Sequence, residues 1–415
     1  MKRNVLIIGL ILLTFFVISF LTNMIGPLVP DIIDSFDLSL TLVALLPFAF
    51  FIAYGLMSIP SGMLIERFGE KKVILWAFGC AFLGAFLFAF SPSYGMYIFS
   101  LFFIGAGMAM LQVAINPLLR VAGGESNFAF NSVIGQLFFG LASFLSPLMY
   151  TYLVLNIGKP VEGKNAIVRL LEGVVPLDLP WISLYWVFAV VALLMIVIVA
   201  IVRFPKVEKD GEDKVGAIAL HLELIKNPTV IKYFLAIFAY VGMEQGIANW
   251  ISKFLETYHG VDPQTIGAST ISWYWGLMTA GALLGLALLK VLDSRKVLIL
   301  FTGAAMACLG ISLFGPTNVI LITFPLIGFF ASVMWSVIIS LGLNSVEKHH
   351  GSVSGILVTG IAGGAIVPLI VGGLGDVFGL RIGMLFLFVA MGYIFSIGFW
   401  AKPLITNQLI GQNTE

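Results

Sequence analysis

Apolar residues run along this chain in stretches of about 20, long enough as helix to cross ~30 Å of hydrocarbon, with short polar breaks between them. Between those breaks the stretches cover 5 to 30, 41 to 65, 72 to 91, 95 to 117, 128 to 152 and 181 to 203, then 229 to 256, 265 to 290, 296 to 314, 318 to 344, 352 to 374 and 382 to 401. The pattern predicts an all-α membrane protein with twelve transmembrane helices, six on each side of a polar centre. The expected organisation is a six-helix bundle over 1–205, a cytoplasmic linker over 206–226, a second six-helix bundle over 227–405 and a cytoplasmic tail over 406–415. Within the linker, Val215 to Ile225 alternates apolar and polar positions as a surface helix does. The first stretch begins like a signal peptide. It lacks a small-residue cleavage site and runs straight into Asn23 and Pro27, so it is expected to stay as the first span.

Charge orients the helices. Lys2, Arg3, Arg67, Lys71, Lys72, Arg120, Arg203, Lys206, Lys209, Lys214, Lys290, Arg295, Lys296 and Lys348 fall on the side of the N-terminus; the opposite loops hold only Lys159, Lys164, Arg169, Lys253 and Arg381. Because Lys and Arg in short loops stay cytoplasmic, both termini are expected in the cytoplasm of a multi-pass protein of the inner (plasma) membrane.

Composition agrees. Hydrophobic residues make up 60% of the chain and charged residues 10%, against roughly a quarter charged in a soluble domain. A formal net charge of +1 gives no reason to expect a nucleic-acid partner. Cys80 and Cys308 lie in apolar runs of different halves and read as packed thiols, with no metal cluster around them. Gly158 to Lys164 imitates part of a phosphate loop, but Asn165 stands where Ser or Thr binds magnesium and no strand precedes it. With no H-E-x-x-H and no G-x-S-x-G either, the chain reads as no enzyme and no ATP-driven pump.

Between the second and third stretches stands Gly62-Met63-Leu64-Ile65-Glu66-Arg67-Phe68-Gly69-Glu70-Lys71-Lys72. It resembles the G-x-x-x-D/E-R-x-G-x-K/R signature of the major facilitator superfamily, at the inter-helix position where that signature belongs. Gly62, Glu66, Arg67, Gly69, Lys71 and Lys72 are therefore read as a gating motif, with Gly62 for close helix approach and Gly69 for the tight turn. Gly285, Lys290, Asp293, Arg295 and Lys296 form a looser echo in the second half. The resemblance implies two related six-helix bundles rocking about a midplane substrate site.

Polar side chains at membrane depth are costly unless satisfied, and so are functional candidates. Gln112 and Asn116 lie one turn apart in the fourth stretch, Asn131 and Gln136 follow in the fifth, and Gln245 and Asn249 lie one turn apart in the seventh, beside Glu244. Amides both donate and accept, which suits sugar hydroxyls. Trp273 and Trp275 in the eighth stretch and Trp335 in the tenth offer ring faces for a pyranose. Asp31 and Asp34, near the outer end of the first stretch, read as solvated.

At Leu111 to Pro117, Tyr240 to Glu244, and Ser354-Gly355-Ile356-Leu357 continuing to Gly363-Gly364-Ala365-Ile366-Val367-Pro368, the sequence is similar to the fucose/galactose/glucose symporter family, its glucose/galactose branch above all. That resemblance implies hexose uptake, glucose- or galactose-like with fucose as the alternative, driven by a cation gradient, H⁺ or Na⁺, with no cofactor. Asn23 matches an asparagine of the family's first-span pattern. Two acids of the fucose branch are missing: Gly26 and Gln112 stand in their places. Glu244 is then the expected coupling group, carrying a proton or helping to ligate sodium. The expected partners are a small sugar and the lipid bilayer, and the expected state is a monomer. A facilitator or symporter of the same fold for another small polar solute, or a sugar sensor that does not transport, stays open as an alternative.

Overall fold

A computed structural model describes residues 5–123, 128–160, 164–204, 223–347 and 350–404. Most of the expected linker and its Val215 to Ile225 helix, and the tail over 406–415, lie outside the described residues. No strand occurs among the described residues. Eleven helices there are long and apolar enough to cross a membrane. The expectation of twelve is thus met by eleven. The helix in the eighth position, Ala268–Leu288, which carries Ser269, Thr270, Ser272, Trp273, Tyr274 and Trp275 in its first turns, is not among them.

The chain divides into two compact units, Met1–Glu208 with Asn249–Ser272, and Lys209–Ala248 with Trp273–Glu415. In the first unit the helices are α1 (Val5–Thr22), α2 (Ile25–Phe36), α3 (Leu40–Phe68), α4 (Glu70–Phe90), α5 (Tyr94–Gly123), α6 (Phe128–Asn156), the short α7 (Ala166–Glu172) and α8 (Ser183–Ile201). The expected first span is broken into α1 and α2 at Asn23 and Met24. Pro27 explains the break: a proline ring collides with the carbonyl four residues earlier, here that of Asn23, and supplies no N–H to it. Helix α3 stops and α4 starts at Gly69, whose φ of +81° a side chain rarely tolerates. The chain thus turns between α3 and α4 at a backbone conformation that glycine favours.

Helix α5 packs on α3, α4 and α1, while α8 packs on α4 and α6 on α1. Phe88 stacks on Tyr97 at 4.3 Å between ring centroids, and the Tyr185 hydroxyl donates to that of Tyr97 at 2.6 Å. Elsewhere the surface is apolar, with Leu56, Ile59, Leu193, Leu194 and Val197 all exposed. In water that would be a severe cost; facing lipid it is none.

The second unit is built from Pro228–Ala248, Ala268–Leu288 (from Trp273), Ser294–Phe314, Thr317–Ala331, Met334–Leu343, His350–Thr359, Gly363–Phe378, Leu380–Leu385 and Leu387–Trp400. Pro228–Ala248 packs against Gly363–Phe378 and Leu387–Trp400, and Ser294–Phe314 against Thr317–Ala331. Asp293 caps Ser294–Phe314 by accepting from Arg295 N at 2.8 Å, and its ion pair with the same guanidinium (3.0 Å) holds its carboxyl below the usual carboxylate range.

Candidate functional site

Pro228–Ala248 carries the acid singled out from the sequence. Its backbone is pressed against a neighbour by glycines: a Cβ on Gly363 would lie 1.9 Å from the carbonyl oxygen of Phe238, and one on Gly242 would lie 2.3 Å from Val367 Cγ2. The Gly363 to Pro368 stretch is therefore the packing face that fixes the height and rotation of the helix bearing Glu244. On that helix the Tyr240 hydroxyl donates to Glu244 Oε1 at 2.7 Å, from one turn away. Gln245 is hydrogen-bonded to the same carboxyl and is buried. The Tyr274 hydroxyl donates to the Glu244 carbonyl at 3.3 Å. No Lys, Arg or His among the described residues forms an ion pair with Glu244.

Aromatic rings frame this carboxyl. Tyr240 and Trp335 have centroids 6.1 Å apart, and Tyr274 meets Trp275 edge to face at 5.1 Å. Trp275 is buried, and its Nε1 has no hydrogen-bond partner among the described residues. Trp273, two residues earlier, is 54% exposed, so it lies on another face of the helix. The geometry brings Glu244, Gln245, Trp275 and Trp335 together with Tyr240 and Tyr274, which the sequence reading had not assigned roles. The i, i+4 spacing of Tyr240 and Glu244 was the available signal.

In the first unit the candidate amides have different surroundings. Asn23 Nδ2 donates to Ser143 Oγ at 2.9 Å, and Ser19 Oγ and Ser143 Oγ are 2.6 Å apart, so Asn23 ties α1 to α6 at the α1–α2 break. Asn131 is buried, Gln112 half-buried and Gln136 exposed. The side chain of Asn116 lies outside the described residues. Asn249, buried at the junction between Pro228–Ala248 and Ile251–His259, has an Nδ2 without a hydrogen-bond partner among the described residues. A buried amide with an open donor is what a ligand hydroxyl requires.

The motif around the α3–α4 turn is equally specific. Lys71 Nζ donates to the carbonyls of Ala200 and Val202 at 2.8 Å each, capping the C-terminal end of α8. Arg67 lies over the Phe68 ring at 5.1 Å, Lys72 is exposed, and the Glu66 side chain is outside the described residues. Among the described residues a Cβ on Gly62 would meet nothing within 4 Å, so the expected close approach is not made to any of them. Asp31 departs from expectation more sharply: it is half-buried and accepts two side-chain hydrogen bonds, so it is not a solvated carboxylate. Among the described residues no three His, Cys, Asp or Glu side chains gather to hold a metal ion.

Comparison with known proteins bears on this geometry. The Major Facilitator Superfamily model matches residues 11–368. A "Glucose/galactose transporter" of Brucella abortus is 30% identical over 93% of this chain and 92% of its own. An "L-fucose-proton symporter" of Escherichia coli is 25% identical over 88% and 86%. Among solved structures, the E. coli fucose:proton symporter aligns with a TM-score of 0.68 at 23% identity, covering 97% of this chain and all of that one. A bacterial homologue of the human lysosomal transporter Spinster, crystallised inward-facing, aligns with a TM-score of 0.77 at 16% identity, covering 96% and 97%. At those identities the two structures speak to the fold alone.

Proposed function

The chain belongs to the Major Facilitator Superfamily, and on that premise we propose that it is a cation-coupled hexose symporter of the bacterial inner membrane, working by alternating access. The observation that carries the reading is the Glu244 carboxyl: an acid inside a membrane span whose side-chain partners are the neutral Tyr240 and Gln245. An intramembrane acid with a permanent counter-ion is already neutralised; one held only by neutral donors is available to a cation from the gradient. Glu244 is the coupling group for a proton or a sodium ion. The relatives' named cargoes support a sugar, with glucose and galactose ahead of fucose.

Sugar recognition falls to Gln245, Asn249, Trp275 and Trp335, with Gln112 and Asn131 as further amide partners. Asn23 contributes through the Ser19–Ser143 hydrogen bonds that shape the α1–α2 break. In this reading Ala268–Leu288 is a twelfth span and both termini are cytoplasmic, which the Lys and Arg distribution supports.

The test is uptake of labelled glucose, galactose and fucose into proteoliposomes under separately imposed proton and sodium gradients, for the parent protein and Glu244→Gln. Accumulation that follows one gradient and is lost in the variant, while sugar exchange at equal concentrations persists, is the expected result. Equal accumulation by both proteins sinks the coupling assignment, and no entry of any hexose sinks the cargo.

A further inference from the structure

The segment Asn249–Ser272 comes from the second half of the sequence but belongs to the first compact unit. It consists of the helix Ile251–His259, a turn at Gly260 with φ +60°, the tight turn Pro263–Gly267 and the first turn of Ala268–Leu288. Side-chain bonds make the hairpin rigid. Asp262 accepts from Gln264 N at 3.4 Å and from the Thr265 hydroxyl. Ser252 Oγ donates to Pro263 O at 3.3 Å, and a Cβ on Gly267 would lie 2.5 Å from that Oγ. Gln264 is thus presented from a fixed turn.

Among the described residues three hydrogen bonds tie the hairpin to the helices from the first half. Gln264 Nε2 donates to Asp31 Oδ1 at 3.0 Å, and the Tyr150 hydroxyl donates to Asp31 Oδ2 at 2.6 Å, so each oxygen of one carboxyl is engaged. Thr151 Oγ1 donates to the Gln264 carbonyl at 2.6 Å. Further along, Ser272 Oγ donates to the Phe144 carbonyl at 2.9 Å. Tyr150 and Ser272 are buried, while Asp31, Thr151 and Gln264 are half-buried, so these bonds are partly shielded from water. The cluster lies towards the end of the first span farther from the N-terminus. These hydrogen bonds stand beside apolar packing, because Ile251–His259 lies on α2 and its Ile251, Phe254 and Leu255 are buried.

We propose that Asp31, Tyr150 and Gln264 form a gate latch on the face opposite the N-terminus, closed in this structure and opened once in every transport cycle. The inference rests on the alternating-access reading above, which requires first-half and second-half elements to separate on each face in turn. Asp31 and Tyr150 act here as positioning residues and need not touch sugar.

The test uses the full-length protein in proteoliposomes, in a Cys80→Ser, Cys308→Ser background. With Asp31→Cys and Gln264→Cys combined, a short bifunctional thiol reagent whose link is reductively cleavable arrests sugar exchange at least about tenfold and reduction restores it, whereas neither single variant responds. Unchanged exchange by the cross-linked protein overturns the proposal. A second arm needs no sugar: with Ser272→Cys as the reporter, Gln264→Ala raises its rate of labelling by a membrane-impermeant thiol reagent at least about fivefold, and Gln264→Glu, which loses the donor, does the same. Labelling that stays at the rate of the Gln264 parent overturns the latch. Sugar exchange that is absent already in the parent counts against the cargo alone, and the labelling arm then decides the latch.

Discussion

Tyr240 donates to Glu244 across one helical turn, 2.7 Å from oxygen to oxygen, and among the described residues no cation pairs with that carboxyl. The phenol holds the acid in one rotamer without neutralising it. Hydrogen bonds to a charged group are worth about 1.5–3 kcal/mol. Tyr240→Phe is therefore expected to slow gradient-driven sugar uptake roughly tenfold or more, while equilibrium exchange and thermal stability change little. Initial rates with and without an imposed gradient check this.

The two tryptophans of Ala268–Leu288 are expected to separate cleanly. Trp275 is buried against Tyr274 with an open Nε1, and Trp273 is exposed. Stacking is worth about 0.5–1.5 kcal/mol, before any hydrogen bond is counted. Trp275→Ala should weaken sugar binding about fivefold or more and Trp273→Ala less than about twofold, as read by calorimetric titration in detergent.

Gly363 and Gly355 make a matched pair. An added methyl at Gly363 runs into the Phe238 carbonyl, whereas at Gly355 it meets nothing within 4 Å. Gly363→Ala is expected to cost roughly 1–3 kcal/mol or more through forced helix separation and to shift the protein from monodisperse to aggregated on size exclusion. Gly355→Ala should elute like the parent. Loss of uptake in Gly363→Ala without a change in stability would contradict the packing role.

Lys71 joins the α3–α4 turn to the end of α8 through two carbonyls. Lys71→Ala leaves those helix-terminal acceptors to solvent and should lower stability by about 1 kcal/mol, a melting shift of ~2 °C. Lys71→Arg should recover most of it. A variant series in which Ala and Arg melt together would show that charge at this turn matters to the cycle and not to the fold.

The spans were legible because a bilayer demands about 20 apolar residues per crossing, and that signal survives without any alignment. Their internal breaks were not. The interruption at Asn23 and Met24 follows from Pro27, whose effect falls four residues upstream, and the turns between Ala331 and Met334 and at Gly360–Ala362 sit inside uniformly apolar text. Glu244 stood out as an acid in an apolar run, while Tyr240, its partner, looked like one aromatic among many. Asp31 was misjudged for a different reason: its partners lie 119 and 233 residues away, and no local pattern encodes a bond across that distance. Gly62 shows the converse, a motif position whose expected close contact is not made among the described residues.

The placing of Asn249–Ser272 within the first compact unit also constrains how the protein is made. The ribosome delivers the first 208 residues before this hairpin exists, so the nascent first half enters the bilayer with the Asp31 carboxyl, the Phe144 carbonyl and the Thr151 hydroxyl still lacking their later partners. Maturation of the amino-terminal portion therefore waits on a piece of the carboxyl-terminal one. A chain arrested between residues 208 and 249 is an unfinished object whose quality control has a definite signature: polar groups that a completed chain conceals.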